Sequence, residues 1–134
     1  MTFPKSYVPK IEKCLELQQA GFKQETIFYW WQDRTHDPKI FPLYEPEIYL
    51  AREADNPTDI ILAAAPLDAE ILEVLPKSIT IKNTEYWLTG TIMYADLAVD
   101  WNYIDQNEPG IILFSKSWLS LPDLYLRLKK EGLI

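Results

Sequence analysis

The sequence predicts an α+β fold, a single domain with an antiparallel sheet of about four to five strands flanked by about three helices. Three observations carry that expectation. Apolar residues recur at helical spacing in three separate stretches, at about residues 9–20, 67–75 and 120–131. Aromatic and β-branched residues concentrate between them, most densely at 26–31 and again across 78–103. Strands gathered together with helices outside them belong to the α+β class.

The elements follow in order. Pro9 suits the first position of a helix over 9–20, and Val8, Ile11, Cys14 and Leu15 share one face of it. Gly21 stands where a helix closes in the left-handed conformation. Residues 26–31 then read as a strand containing Phe28, Tyr29, Trp30 and Trp31. Strand geometry sends Phe28 and Trp30 to one face and Tyr29 and Trp31 to the other. Residues 32–46 carry Pro38, Pro42 and Pro46 and read as a long loop. A short strand is expected at 47–52, and Asp55, Asn56 and Pro57 signal a turn. The apolar run 60–65 meets Pro66 and delivers the chain into a helix over 67–75, with Leu67, Ile71, Val74 and Leu75 as its buried stripe and Pro76 as its end. Strands are expected at 78–82, 86–94 and 97–103. The last two form an antiparallel hairpin turning near Ala95 and Asp96, with Leu97, Val99, Trp101 and Tyr103 opposite in face to Asp100 and Asn102. Residues 111–114 read as a short strand or a core-filling loop. Ser120 and Asp123 have capping-box spacing before a final helix with the stripe Leu121, Leu124, Tyr125 and Leu128, closed by Gly132.

With 134 residues, 48% of them hydrophobic and 25% charged, the chain can bury a core without a disulfide or metal staple. Its single cysteine, Cys14, excludes an internal disulfide and gives no cysteine-based zinc pattern. Residues 1–10 lack the apolar segment of a secretory signal, and no run is long and apolar enough to span a bilayer. The expected compartment is the cytoplasm. A formal charge of −7 argues against binding a phosphate backbone. The one basic cluster, Arg127, Lys129 and Lys130, sits at a helix C-terminus where cations complement the dipole. Neither nucleic acid nor a membrane is expected as a partner.

Three patches carry a resemblance. The first has the form G-x-x-Q-x-T-x-F-Y-W, on Gly21, Gln24, Thr26, Phe28, Tyr29 and Trp30. The second has the form A-P-x-x-x-E-L-x-x-x-L-P, on Ala65, Pro66, Glu70, Leu75 and Pro76, with Ile71 in place of the usual leucine. The third is the C-terminal helix with Gly132, Leu133 and Ile134. Together they resemble a group of small proteins of phages, prophages and related mobile elements that have no assigned activity. The resemblance implies a mobile-element origin and supplies no catalytic residues. It departs at Leu67, where a helix-capping threonine would be expected.

Chemistry-bearing residues are few. Asp33, His36 and Asp37 form the one cluster of a histidine with carboxylates, a minor metal candidate that turn chemistry beside Pro38 also explains. Cys14 lies mid-helix on the apolar face and reads as a buried structural thiol. There is no nucleophile elbow and no phosphate-cradling glycine loop. Asp96, Asp100, Asp105 and Glu108 are close in sequence, but Asp100 and Trp101 point to opposite strand faces. No cofactor is expected, and an enzyme is disfavoured.

What stands out is the aromatic content of 5 Trp, 8 Tyr and 5 Phe, residues that populate interfaces and half-wet pockets. Phe28 and Trp30 are expected to be scaffold. Tyr29 and Trp31 are binding candidates on the reverse face, with Trp87 and Trp101 on the later hairpin. The function expected is a non-enzymatic interaction protein with a protein partner, a second copy of itself included. Two alternatives stay open. One is a small-molecule binder or hydrolase with an acidic and aromatic cleft on the 86–104 hairpin. The other is an acidic inhibitor that mimics nucleic acid.

Overall fold

A computed structural model describes residues 7–36, 39–40, 42–43, 45–92, 98–115 and 117–134. Two units divide the chain, residues 1–70 and 71–134. The first holds α1 (Ile11–Gln19), β1 (Phe28–Gln32), β2 (Ile48–Ala51) and β3 (Ile60–Ala65), and the boundary falls within α2 (Asp68–Val74). The second holds β4 (Ser78–Ile81), β5 (Thr84–Ile92), β6 (Val99–Asp105) and α3 (Leu121–Lys130). The α+β class expected from sequence is the class observed. The single sheet of four to five strands is corrected to two three-stranded antiparallel sheets, β2-β1-β3 and β4-β5-β6. Pro66 and Pro76 bracket α2, which stands between the end of the first sheet at Ala65 and the start of the second at Ser78.

In the first sheet β1 is central. One face carries Phe28, Trp30, Leu50, Ala63 and Ala65, all buried, and these cluster with Val8 and Cys14. Two alanines on β3, Ala63 opposite Trp30 and Ala65 opposite Phe28, leave room for the two large rings on the adjacent strand, which is the small-against-large packing a close-packed core needs. α1 buries Cys14 and Leu17. Leu15, placed on the apolar stripe by sequence, is instead exposed, because the stripe advances from Cys14 to Leu17. The helix closes as expected at Gly21, with φ of 89°, and the Phe22 N–H donates to the Leu17 carbonyl at 2.9 Å.

The residues of the first two sequence patches are accounted for here as folding devices. The Gln24 side-chain oxygen accepts from the Ala64 N–H at 2.9 Å, and its amide nitrogen donates to the Phe22 carbonyl, also at 2.9 Å. The Gln18 amide donates to the Leu62 carbonyl at 3.3 Å. Two glutamines thus close the outer edge of β3. The Thr26 hydroxyl donates to the Phe28 carbonyl at 2.6 Å, fixing the entry to β1. Glu70 supplies the cap that Leu67 cannot. Its Oε1 accepts from the Leu67 N–H at 3.0 Å and its Oε2 from the Ile27 N–H at 3.1 Å. One carboxylate therefore caps the start of α2 and ties down the segment leading into β1. Ile71 on α2 and Leu75 just beyond it are buried, whereas Val74 is exposed, which corrects its place in the expected stripe.

The second sheet is a meander. Lys82 and Asn83, with φ of 48° and 68°, form the two-residue left-handed turn that matches the twist of a hairpin, and Ile81 pairs with Thr84 across it. β6 pairs over its whole length with residues 86–92 of β5, from Ile92 with Val99 to Tyr86 with Asp105. This is the expected hairpin, while its turn near Ala95 and Asp96 lies outside the described residues. Gly90 sits opposite Trp101, and a Cβ there would come within 3.0 Å of Val99 and 3.1 Å of the Trp101 ring. The glycine is what lets the indole lie over its neighbour strand. Beyond β6 the chain bridges back at Ile104–Ile112 and Trp101–Leu119. Between the bridges Asn102, fully buried, donates to the carbonyls of Phe114 and Ser117 and accepts from the Phe114 N–H. The 111–114 segment is thus a pinned loop. The Ser120 hydroxyl accepts from the Asp123 N–H at 3.4 Å, and Leu121, Leu124, Tyr125 and Leu128 are buried as expected.

Candidate functional site

The best-formed candidate is the outer face of the β2-β1-β3 sheet. Alternation along β1 puts Tyr29 and Trp31 there, half-buried, opposite in face to the buried Phe28 and Trp30. Across the ladder Trp31 pairs with Tyr49 on β2 and with Ile61 on β3. Ile61 reaches that position through a bulge. Trp30 pairs with Ala63 but Trp31 pairs with Ile61, so Leu62 is the extra residue. Ile61 is left 49% exposed opposite the Trp31 it pairs with.

The rings of this face are held rigidly. Tyr29 and Trp31 meet edge to face, with centroids 6.1 Å apart and planes at 72°. The polar tip of each is already committed. The Tyr29 hydroxyl accepts from the Thr26 N–H at 3.2 Å, and the Trp31 indole donates to the Ala51 carbonyl at 3.0 Å. The Tyr49 hydroxyl donates to Asp59 Oδ2 at 2.5 Å and accepts from the Asp55 N–H at 2.9 Å. Asp59 Oδ1 in turn accepts from the Arg34 N–H at 3.0 Å. What the three rings present outward is therefore apolar surface in fixed orientation. Such a surface binds with little loss of side-chain entropy.

These hydrogen bonds also shift proton affinities. Desolvation, and then the hydrogen bond to Asp59, push the Tyr49 phenol from an ordinary 10.0 up to about 12. The same bond, seen from the other side, holds the Asp59 carboxyl below its usual range. Burial pushes the Cys14 thiol from 9.0 up to about 11. For both raised groups the folded chain keeps its proton more tightly than the unfolded chain. Their contribution to stability is whole below pH 9 and is lost as the pH rises toward 12. Denaturant midpoints should accordingly fall across that window, and Tyr49→Phe should flatten the part above pH 10. A midpoint constant to pH 12 would contradict the assignment. The native Cys14 should also resist alkylation at pH 8 while the unfolded chain reacts.

The other sequence candidates do not assemble with this face. Trp87 pairs with Ile104 and Trp101 with Gly90, an odd offset along β5 that puts the two indoles on opposite faces of the second sheet. A cleft along that hairpin takes one of them and not both. Among the neighbouring acids, Asp105 Oδ1 is engaged by the N–H groups of Asn107 and Glu108, an ordinary turn, and Asp96 lies outside the described residues. Asp33 Oδ1 accepts from the Thr35 N–H at 2.8 Å and from its hydroxyl at 2.6 Å, and that hydroxyl lies 3.1 Å from His36 Nδ1. Asp37 lies outside the described residues, and among those described no three potential ligands come together to hold a metal. No helix among the described residues is long and apolar enough to cross a membrane.

A groove of about 690 Å³ opens on the inner side of the same sheet, lined by Val8, Pro9, Ile11, Trp30 and Ile48 with Lys10 and Glu12. The Trp30 indole donates to the Pro9 carbonyl at 3.2 Å at its floor. Sequence reasoning missed Tyr49, Asp59 and Ile61 as parts of the outer face. Tyr49 was readable as the outward residue of a short strand. The bulge that turns Ile61 outward has no sequence signal. No family model, curated protein or solved structure matches the chain.

Proposed function

We propose that this chain is a non-enzymatic interaction module whose outer sheet face, centred on Trp31, docks a protein partner. The observation that carries the reading is the state of that face: Tyr29, Trp31 and Tyr49 have their polar tips satisfied internally, yet remain half-open beside an exposed Ile61. Apolar surface fixed on a rigid sheet is typical of a binding surface. The described polar groups nearby serve turns and caps. The motif resemblance supports a mobile-element protein acting in the cytoplasm, with a host or element protein as the partner.

The test is comparative capture from the source cell. A partner should be retained by the wild-type chain and by Ile111→Lys, which alters an isoleucine of similar exposure in the second unit. It should be lost with Ile61→Lys. A partner lost with both variants, or with neither, would count against this face.

A further inference from the structure

The outer face of the first sheet is aromatic at its centre and acidic at one end. Tyr29 and Trp31 on β1, Tyr49 and Ala51 on β2 and Ile61 on β3 hold its outward positions. The next outward positions along the strands are Asp33, Glu47 and Asp59. Asp33 and Glu47 continue the β1–β2 register, the Asp33 N–H donating to the Glu47 carbonyl at 2.9 Å. Asp59 has the parity of Ile61 and takes the Tyr49 hydroxyl proton in a hydrogen bond. No lysine or arginine stands at any of these positions. The nearby Arg34 directs its Nε–H to Gln32 Oε1 at 3.0 Å, a residue with the parity of the buried Phe28 and Trp30. Residues 45–59, which supply β2 and its connection to β3, hold the acids Glu45, Glu47, Glu53, Asp55 and Asp59 against Arg52 alone.

These charges also meet in space. The Asp55 N–H donates to the Tyr49 hydroxyl at 2.9 Å. Beyond desolvation and the Asp59 hydrogen bond, the charges of Asp59 and Asp55 add to the raised proton affinity of the Tyr49 phenol. The charge of Asp33 opposes the lowering that the Tyr49 hydrogen bond imposes on Asp59. The Glu47 carboxylate is exposed and has no partner among the described residues.

We propose that the partner brings an arginine to this face, its guanidinium stacked on the Trp31–Tyr49 pair and forked onto the Glu47 carboxylate. This rests on the outer-face reading and names the chemistry of what docks there. Charge complementarity carries it: an apolar partner alone would desolvate Glu47 with nothing in return, and an acidic one would be repelled. Arginine meets both halves of the surface, because its planar, weakly hydrated cation stacks on aromatic rings and pairs with carboxylates through two N–H groups. The reach is sufficient. Tyr49 and Glu47 stand two residues apart on one strand face, roughly 7 Å along β2, and a cation held within about 6 Å of a ring centre spans that gap.

The test titrates two short peptides into the full nitrogen-15-labelled chain, identical except that the arginines of one are citrullines in the other. The arginine peptide should move the Trp31 indole N–H and the amide resonances of 47–49, and its dissociation constant should rise at least about threefold between about 50 and about 300 mM salt. Citrulline keeps the shape and loses the charge, so that peptide should bind at least about tenfold more weakly. Glu47→Lys and Trp31→Ala should each weaken the arginine peptide at least about fivefold. Glu108→Lys, the same charge change on an exposed acid of the second unit, should leave it unchanged. Equal binding of the two peptides, binding indifferent to Glu47→Lys, or shifts spread over the acids of both units overturns the proposal. So does the absence of any shift up to about 5 mM peptide. The two readings fail separately. A captured partner lost with Ile61→Lys but kept by Glu47→Lys at either salt overturns the arginine and leaves the face standing, whereas one kept by Ile61→Lys removes both.

Discussion

Asn102→Leu is expected to destabilise the second unit by about 3 kcal/mol, among the largest losses any single polar residue here can produce. The side chain is fully buried. It makes hydrogen bonds at 2.9 Å to the Phe114 carbonyl, 2.5 Å to the Ser117 carbonyl and 3.3 Å from the Phe114 N–H, and its oxygen lies 2.7 Å from the Tyr103 N–H. Leucine is close in volume, so the loss reports polarity and not a cavity. It strips the amide from the Ser117 carbonyl and the Phe114 N–H, each dearer to bury unpaired than its bond was worth, and leaves the Phe114 carbonyl with the Ser117 N–H at 3.2 Å. The effect should be local first. Amide exchange should accelerate along 111–119 before it does in β5 and β6, because Asn102 spans the gap between the two bridges that hold that segment. Uniform acceleration across the second unit, or a loss under about 0.5 kcal/mol, would refute the clip role. Asn102→Asp is the sharper variant. Its carboxylate can accept from the Phe114 N–H but cannot donate to either carbonyl, so it should be at least as damaging at neutral pH.

How much of this was legible in the sequence depends on how local the cause is. Gly21, Ser120 and Gly132 announced helix ends because capping acts within a few residues; Ser120 opens α3 and the two glycines follow the ends of α1 and α3 where expected. The face assignment of Phe28 through Trp31 followed from a period of two and held. The division into two sheets was not legible. Whether β3 and β4 pair depends on contacts far apart in sequence, and the prolines around α2 read equally well as a turn within one sheet. Asn102 gave no signal, since its partners lie 12 and 15 residues away. Glu70 was half-legible. Its capping spacing was visible, but the missing hydroxyl at Leu67 hid that the carboxylate would reach back anyway and take the Ile27 N–H with its second oxygen.

Trp30→Ala and Trp31→Ala should separate scaffold from surface in adjacent residues. Trp30 is 5% exposed, belongs to the core cluster and donates to the Pro9 carbonyl. Truncation removes a large buried ring and leaves a cavity among small residues, Ala63 and Ala65, that cannot collapse to fill it, so a loss of about 3–5 kcal/mol is expected. Trp31 lies one residue on and faces outward. Its truncation forfeits an edge-to-face contact with Tyr29, a cross-strand pair with Tyr49 and one hydrogen bond to Ala51, together about 1–2 kcal/mol. Urea midpoints, with slopes checked for constancy, measure both. Binding should rank them the other way. Trp31→Ala stays folded and loses the partner, since the flat centre of the outer face goes with it. Trp30→Phe keeps most of the core volume and should bind as the wild type does, at reduced stability. Equal stability losses at 30 and 31 would mean that both faces of β1 are interior, and the outer face would then be core rather than a docking surface.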